Sequence, residues 1–203
     1  MPPILGLVIA YLLGSIPAAY LAGKLFRGID LRQHGSGNLG ATNVFRVMGW
    51  KIALLVMAFD VGKGVVPVLV LPRWVAPASP HWTLAYGLAA IAGHVRTPFL
   101  LWRSGGKGVA TALGVFLALS AWATLIAAAV WVVVLAATRY VSAASLCAAA
   151  ALPVAVAVLH GVRAPLFALS VIVAAFVVWT HRANIGRLRR GDEHRVGRPR
   201  AAH

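Results

Sequence analysis

The sequence has few acidic residues and a single cysteine. Asp30, Asp60, Asp192 and Glu193 are its only acids, and they face 19 Lys and Arg residues, so the formal net charge is +15. The lone Cys147 excludes an intramolecular disulfide. It lies in an apolar stretch with nothing nearby to make it a thiolate, so we expect a small hydrophobic residue rather than a nucleophile.

Several common catalytic signatures are also missing from the sequence. No histidine is followed five positions later by aspartate, as in many acyl-CoA acyltransferases, and there is no Gly-x-Ser-x-Gly nucleophile elbow. No group of Cys, His and carboxylate residues has the spacing of a metal site, so we expect neither a metal nor another cofactor. Any chemistry would need a substrate that is already activated.

Apolar residues dominate what is present. They make up 61% of the 203 residues, and the mean hydropathy is +0.84, whereas soluble domains are about 45–50% apolar. Long runs that are apolar on every face predict helices, because a backbone in lipid must satisfy its own hydrogen bonds. We therefore expect an all-α integral membrane protein forming one membrane domain over residues 1–203. The predicted transmembrane helices are seven: 4–23, 52–71, 82–101, 108–120, 122–137, 140–159 and 165–180.

The positions of the basic residues predict the topology. Loop 24–51 and the tail after residue 181 carry most of the cations, which places both in the cytoplasm, with the N-terminus outside. Because the segment before residue 108 and the tail after residue 181 are both inside, the chain must cross the membrane an even number of times between them. Four crossings place Arg139 inside and Arg163 outside. Because the cations are divided among short loops between apolar segments, we expect contact with anionic membrane lipids and no nucleic-acid partner. The prediction is a multi-pass protein of the cell (inner) membrane.

Residues 35–46 form a polar, glycine-rich segment within the first cytoplasmic loop. It contains a formal G-x-G-x-x-G, but the neighbouring membrane helices exclude the βαβ unit of a dinucleotide site. Glycines allow backbone N–H groups to approach an anion, a helix starting near Thr42 would direct its N-terminus there, and Arg46 offers a fork for phosphate. The alternative is a solvated turn. Neutral hydrogen-bonding groups come from Ser36, Asn38, Thr42 and Asn43.

Two further cytoplasmic segments, 102–111 and 181–193, add charged and polar groups. Lys107 follows two glycines just before a predicted helix, where it could bind an anion or simply anchor the chain at the membrane surface. His181 shares a helical face with Asn184 and could be a general base or an inert interfacial residue. Asp60 and Lys63, inside an apolar segment, we interpret as a structural pair at i,i+3.

These segments together resemble the bacterial acyl-phosphate:glycerol-3-phosphate acyltransferase family. The matching pieces are GSGNLGATNVFR at 35–46, GGKGVAT at 105–111 and HRANIGRL with the following Gly and Glu over 181–193. Shorter pieces at 14–17, 59–64, 93–94 and 139–145 also look like family segments. The resemblance covers nearly the whole chain, in order. It departs from the family pattern at residues 95–97 and at Ser104, near the second segment.

The resemblance implies transfer of a fatty acyl group from acyl phosphate to the 1-hydroxyl of glycerol 3-phosphate, giving lysophosphatidic acid and phosphate. An acyl phosphate has a good leaving group, so positioning and charge stabilisation could suffice. By resemblance, the catalytic residues would be Ser36, Lys107 and His181, and the hydroxyl proton would go to His181 or to a substrate phosphate. The implied substrate-binding residues are Asn38, Thr42, Asn43, Arg46, Ser142, Asn184 and Glu193.

A transporter of a phosphorylated metabolite is the alternative function, since a cationic pocket in a membrane protein would serve it too. Transporters place polar groups near the membrane midplane, on broken helices and repeated halves. Here the polar residues cluster towards one surface, apart from Asp60 and Lys63. We therefore favour the enzyme, with the basic residues 194–203 as a solvated or lipid-surface extension.

Overall fold

A computed structural model describes residues 1–74, 79–103 and 105–197. Ser104 and positions 198–203 of the basic tail, for which we stated expectations, lie outside the described residues. Every regular element within these ranges is helical, which confirms the all-α fold class. The α-helices are α1 (Pro3–Ser15), α2 (Ala18–Arg27), α3 (Ala41–Met48), α4 (Trp50–Val70), α5 (Pro80–Val95), α6 (Val109–Leu119), α7 (Ala121–Thr138), α8 (Val141–His160), α9 (Pro165–Thr180) and α10 (Arg182–Arg190).

The chain folds as two compact units, Met1–Leu119 and Ser120–His203. The first contains α1 to α6, and the second contains α7 to α10. The first two polar segments of the sequence belong to the first unit, and the third belongs to the second unit.

The first predicted membrane helix is broken between α1 and α2. Pro17 follows Ile16, and because proline has no N–H and disfavours helical backbone at the residue before it, α1 ends at Ser15. The break takes carbonyl groups out of the regular hydrogen-bond pattern of a helix. Thr97 Oγ1 donates to the Ser15 carbonyl at 2.7 Å, and Lys63 Nζ donates to the Ile16 carbonyl at 2.9 Å.

Glycines allow α1 to pack directly against α5. A Cβ added at Gly14 would collide with the backbone of Ala90, and one added at Gly6 would meet the ring of Tyr86 at 2.7 Å. The later glycine of α1 contacts the later residue of α5, so α1 and α5 run in the same direction. Small residues at such contacts are a common means of close helix packing in membranes.

Helix α4 packs against both α5 and α6. Asp60 pairs with His94 and Val68 lies near Gly87, so α4 and α5 run in opposite directions. The contact with α6 is made through glycine: a Cβ added at Gly64 would collide with the Thr111 carbonyl. A Cβ added at Gly114 of α6 would collide in the same way with the Val61 carbonyl of α4.

In the second unit, α7 and α8 form an antiparallel pair. Trp131 Nε1 donates to Ser145 Oγ at 3.3 Å, and Ser120 Oγ lies 2.8 Å from His160 Nε2 at the other end. The tail returns to the start of α8, where the Val196 N–H donates to the Arg139 carbonyl at 2.9 Å. The first residues of the basic tail therefore contact the start of α8, and residues 195–197 are exposed.

The helices differ from the predicted spans in detail. The third was expected over 82–101, but α5 ends at Val95, because Pro98 starts a short 3₁₀ turn and Leu101 has a left-handed backbone (φ 54°). By length and hydropathy, four helical segments of the described residues can cross a membrane, or five if α9 and α10, bent by 57°, form one span.

Cys147 is exposed on the apolar surface of α8 rather than buried.

Candidate active site

The loop before α3 is shaped by two glycines and one asparagine. Gly35 and Gly37 have φ of 63° and 71°, which L-residues rarely adopt. Asn43, 1% exposed, accepts from the Ser36 N–H at 2.8 Å and donates to the His34 carbonyl at 3.0 Å. The amide of Asn43 therefore binds the loop's own backbone and fixes the path of residues 34–36.

An ion pair holds the start of the same loop. Asp30 accepts from the Arg32 N–H at 3.0 Å and from Arg32 Nη2 at 2.6 Å. These hydrogen bonds, opposed in part by burial, lower the pKa of Asp30 to about 2. The Arg32 guanidinium also lies 5.2 Å from the centre of the Tyr20 ring, so the loop is joined to α2.

The other predicted residues of the first loop lie at or near its surface. The helix expected near Thr42 is present as α3, which begins at Ala41 after Gly40. Ser36 and Arg46 are exposed, and Thr42 in the first turn of α3 is half-buried. Asn38 is half-buried and approaches Gly40, where an added Cβ would lie 2.9 Å from Asn38 Nδ2.

The Gly105–Gly106 turn is built into the first unit by close contacts. The Gly105 N–H donates to the Val95 carbonyl at 3.0 Å, and the Gly106 N–H donates to the His94 carbonyl at 3.3 Å. A Cβ added at Gly106 would collide with His94 Nε2 and would lie 3.0 Å from the Leu39 carbonyl. The structure thus brings the first two polar segments together, with half-buried Lys107 immediately after this contact.

Beneath that turn lies a buried cluster of charged and polar side chains. Lys63 Nζ is 2.7 Å from Asp60 Oδ1, so the predicted pairing is confirmed as an ion pair. His94 Nδ1 lies 3.5 Å from the same carboxylate oxygen. All three side chains are at most 6% exposed. His94 entered the sequence analysis only within the short family-like piece 93–94 and without a role, because its contact with Asp60 joins two separate helices.

In the second unit, His181 lies at the bend between α9 and α10. It is 3% exposed, and its Nδ1 lies 2.8 Å from the Val177 carbonyl. A carbonyl can only accept, so this contact assigns the proton of neutral His181 to Nδ1. The Nε2 of His181 then carries the lone pair that a general base requires.

Glu193 organises the remaining polar residues of the second unit. Its carboxylate accepts from Ser142 Oγ at 2.9 Å, Asn184 Nδ2 at 2.6 Å and Arg187 Nε at 2.7 Å. Gly191, in the left-handed region with φ 78°, turns the chain so that Glu193 comes back to α10. Burial alone would raise the pKa of Glu193, but these hydrogen bonds outweigh it and hold the pKa below its usual range.

The predicted residues therefore form two groups, one in each unit. In the first unit, the loop of Ser36, Asn38, Thr42, Asn43 and Arg46 meets the turn that carries Lys107. In the second unit, Ser142, Asn184 and Glu193 are hydrogen-bonded together, and His181 lies one turn before Asn184. Arg187, which we had not singled out, joins this second group. Among the described residues, no three His, Cys, Asp or Glu side chains are grouped as they would be in a metal site.

The fold and these two groups define a helical membrane protein with basic, glycine-rich polar loops. The family model described as glycerol-3-phosphate acyltransferase matches residues 4–191, and this chain belongs to that family. A glycerol-3-phosphate acyltransferase of Geotalea daltonii is 49% identical over 185 residues, covering 91% of this chain and 93% of the relative. One of Thermosynechococcus vestitus is 47% identical over 205 residues, covering 96% of each.

Solved structures agree with the family assignment. The chain is similar to the crystal structure of PlsY, an integral membrane glycerol 3-phosphate acyltransferase, in its glycerol 3-phosphate form. The TM-score is 0.88 at 38% identity, over 96% of each chain. The lysophosphatidic acid form of PlsY matches with a TM-score of 0.85 at 37% identity, over 96% of this chain and 95% of that one.

Proposed function

We propose that this protein transfers a fatty acyl group from acyl phosphate to the 1-hydroxyl of glycerol 3-phosphate. The hydroxyl oxygen bonds to the acyl carbon, the bond from that carbon to the phosphate oxygen breaks, and lysophosphatidic acid and inorganic phosphate leave. The observation that carries this proposal is the close contact of two glycine-rich loops beside Lys107, in a chain of the acyltransferase family. Both substrates are phosphate monoanions or dianions, which such loops bind well.

In the first unit, Lys107, Ser36 and Arg46 would bind phosphate. The lysine and arginine supply positive charge, and the Ser36 hydroxyl supplies a hydrogen bond, since the Ser36 N–H already donates to Asn43. Asn43 would contribute indirectly, since its amide is used in holding the loop. Asn38 and Thr42 would complete the site from the loop and from the first turn of α3.

In the second unit, His181 would accept the proton of the attacking hydroxyl at Nε2, the nitrogen that its contact with Val177 leaves unprotonated. Asn184 would bind a substrate phosphate. Glu193 and Ser142 would orient Asn184 and Arg187, because the carboxylate of Glu193 is already surrounded by donors of the protein. No metal or coenzyme takes part in the reaction we propose.

We also propose seven membrane spans, an outside N-terminus and an active site facing the cytoplasm of a cell-membrane protein. The alternating directions of α1, α4 and α5 in the first unit support three successive crossings. The antiparallel α7 and α8 support two more, and the contact of Val196 with Arg139 puts the tail and this residue at one end of the second unit.

The test is acyl transfer by the purified protein in lipid, with palmitoyl phosphate or an acyl-CoA as donor and no added metal. We expect lysophosphatidic acid from acyl phosphate only. Lys107→Ala should lower kcat/KM by about 10²–10³-fold, as loss of a charge-stabilising group does. Lys51→Ala, which removes an exposed lysine in the first turn of α4, outside both glycine-rich segments, is the matched control and should leave the rate unchanged.

Two outcomes would contradict the proposal. Transfer from acyl-CoA at the same rate would exclude acyl phosphate as the specific donor. If neither donor reacts while glycerol 3-phosphate still binds, the enzyme function fails for this chain, and uptake of the phosphorylated compound into vesicles becomes the next measurement.

A further inference from the structure

We propose that His94 and Asp60 are positioning residues for the loop that carries Lys107. They are linked to the break between α1 and α2 through Lys63. The proposal rests on the function proposed for Lys107, but neither His94 nor Asp60 touches substrate in it. Their role is to fix where the turn of Gly105 and Gly106 lies.

The first step of the argument is the direct contact between His94 and the turn. The backbone carbonyl of His94 accepts from the Gly106 N–H at 3.3 Å, and its imidazole Nε2 fills the space where a Cβ of residue 106 would be. The Leu39 carbonyl lies 3.0 Å from the same Cβ position. The turn is thus in close contact with both the imidazole and the first loop, one residue before Lys107.

The second step is what orients the imidazole. His94 Nδ1 faces Asp60 Oδ1 at 3.5 Å, and this oxygen is 2.7 Å from Lys63 Nζ. A buried carboxylate with a lysine partner can attract the Nδ1 proton and so direct Nε2 towards the turn. Charges this deeply buried in a membrane protein are costly and usually serve a function.

The third step is the contact that joins this charged cluster to the break in the first membrane helix. Lys63 Nζ also donates to the Ile16 carbonyl at 2.9 Å, a group that Pro17 prevents from joining a continuous helix. Next to it, Thr97 Oγ1 donates to the Ser15 carbonyl at 2.7 Å. The break in the first membrane helix is therefore the support for both the charged cluster and the segment that leads to Lys107.

The first experiment does not depend on catalysis. In a Cys147→Ala background, Lys107→Cys places the only thiol on the loop, and its reaction rate with a water-soluble maleimide reports the position of the turn. His94→Ala should change this rate several-fold. The matched control is Lys51→Cys, whose rate should stay the same with and without His94→Ala. An unchanged rate at position 107 would overturn the proposal.

The second experiment is a double-mutant cycle on acyl transfer. His94→Ala should lower kcat/KM by about 10²-fold, the effect of a displacement near 1 Å at a reacting group. If it acts by moving Lys107, then Lys107→Ala added to His94→Ala should cost at most about tenfold instead of its full 10²–10³-fold, because the two effects are coupled. Equal effects of Lys107→Ala in both backgrounds would mean that His94 has only a general structural role, and would contradict us.

A third set of variants guards against misfolding. His94→Gln and Asp60→Asn keep polar groups of similar size, and both should show the same coupling with Lys107→Ala in smaller degree. His160→Ala removes a histidine of the second unit, whose Nε2 lies 2.8 Å from Ser120 Oγ, and it should leave kcat/KM unchanged. If the parent protein fails to transfer acyl groups while labelling at position 107 still responds to His94→Ala, the proposed function is wrong and the positioning role stands.

Discussion

At the scale of single residues, the carboxylate of Glu193 connects the polar groups of the second unit. Its side chain is 7% exposed and accepts hydrogen bonds from Ser142, Asn184 and Arg187. We expect Glu193→Gln to destabilise the folded protein by about 1–3 kcal/mol at pH 7, because an amide NH₂ cannot accept from these donors. Thermal unfolding in detergent, with Asp192→Asn as the exposed acidic control, measures the loss.

The same carboxylate predicts a dependence on pH. The folded pKa of Glu193 lies below its ordinary value of 4.5, so its contribution to stability is fully present above pH 4.5. As the pH falls below that value and through the folded pKa, the carboxylate is protonated and the contribution is lost. The difference in melting temperature between the parent protein and Glu193→Gln should therefore shrink in acid, and a difference that is constant or grows would contradict this.

At the scale of helices, α4 offers a matched pair of glycines. An added Cβ at Gly64 would collide with the Thr111 carbonyl of α6, whereas one at Gly62 would meet nothing within 4 Å. We expect Gly64→Ala to cost about 1–3 kcal/mol through forced separation of the helices. Gly62→Ala should instead be neutral or stabilise by up to about 1 kcal/mol through helix propensity.

Melting temperatures of the two variants, measured side by side in one detergent, give the comparison. Because both glycines belong to one helix and undergo the same substitution, a difference between them reports packing against α6 rather than the intrinsic preference of the helix. Equal effects at the two positions would show that α4 and α6 are not in direct backbone contact.

At the scale of the whole molecule, the proposed seven spans predict which loops face which side. In a Cys147→Ala background, a thiol introduced by Arg163→Cys should react with a membrane-impermeant reagent in intact cells. One introduced by Arg139→Cys should react only after permeabilisation. Both arginines are exposed, so access to the side chain itself is not limiting. Labelling of both or neither in intact cells would reject this topology.

The sequence alone predicted the helical class and the helix in each apolar segment, because lipid leaves a long apolar backbone no other choice. It also predicted the helix that begins near Thr42 and the pairing of Asp60 with Lys63, since both depend on neighbours in the chain. It did not predict that α5 ends at Val95, because the apolar residues 99–101 were counted with the helix although Arg96, Thr97 and Pro98 separate them from it.

The sequence could not predict contacts between residues that are far apart in the chain. The contact of His94 with Gly106 joins positions 12 apart through a turn, and Glu193 meets Ser142 across 51 residues. Asn43 was expected to bind substrate, and that role stays a prediction. The sequence could not indicate that the Asn43 amide forms hydrogen bonds with the backbone of its own loop.

The buried ion pair of α4 also bears on how the protein enters its membrane. An isolated charge is costly to insert, and neither His94 nor the Ile16 carbonyl can compensate one until separate helices have come together. Asp60 and Lys63 lie three residues apart on one helix, with the charged atoms 2.7 Å apart. Helix α4 thus carries the counter-ion of its buried acid through biogenesis, so this charge is already paired when the helix leaves the insertion machinery, before the other helices have packed against it.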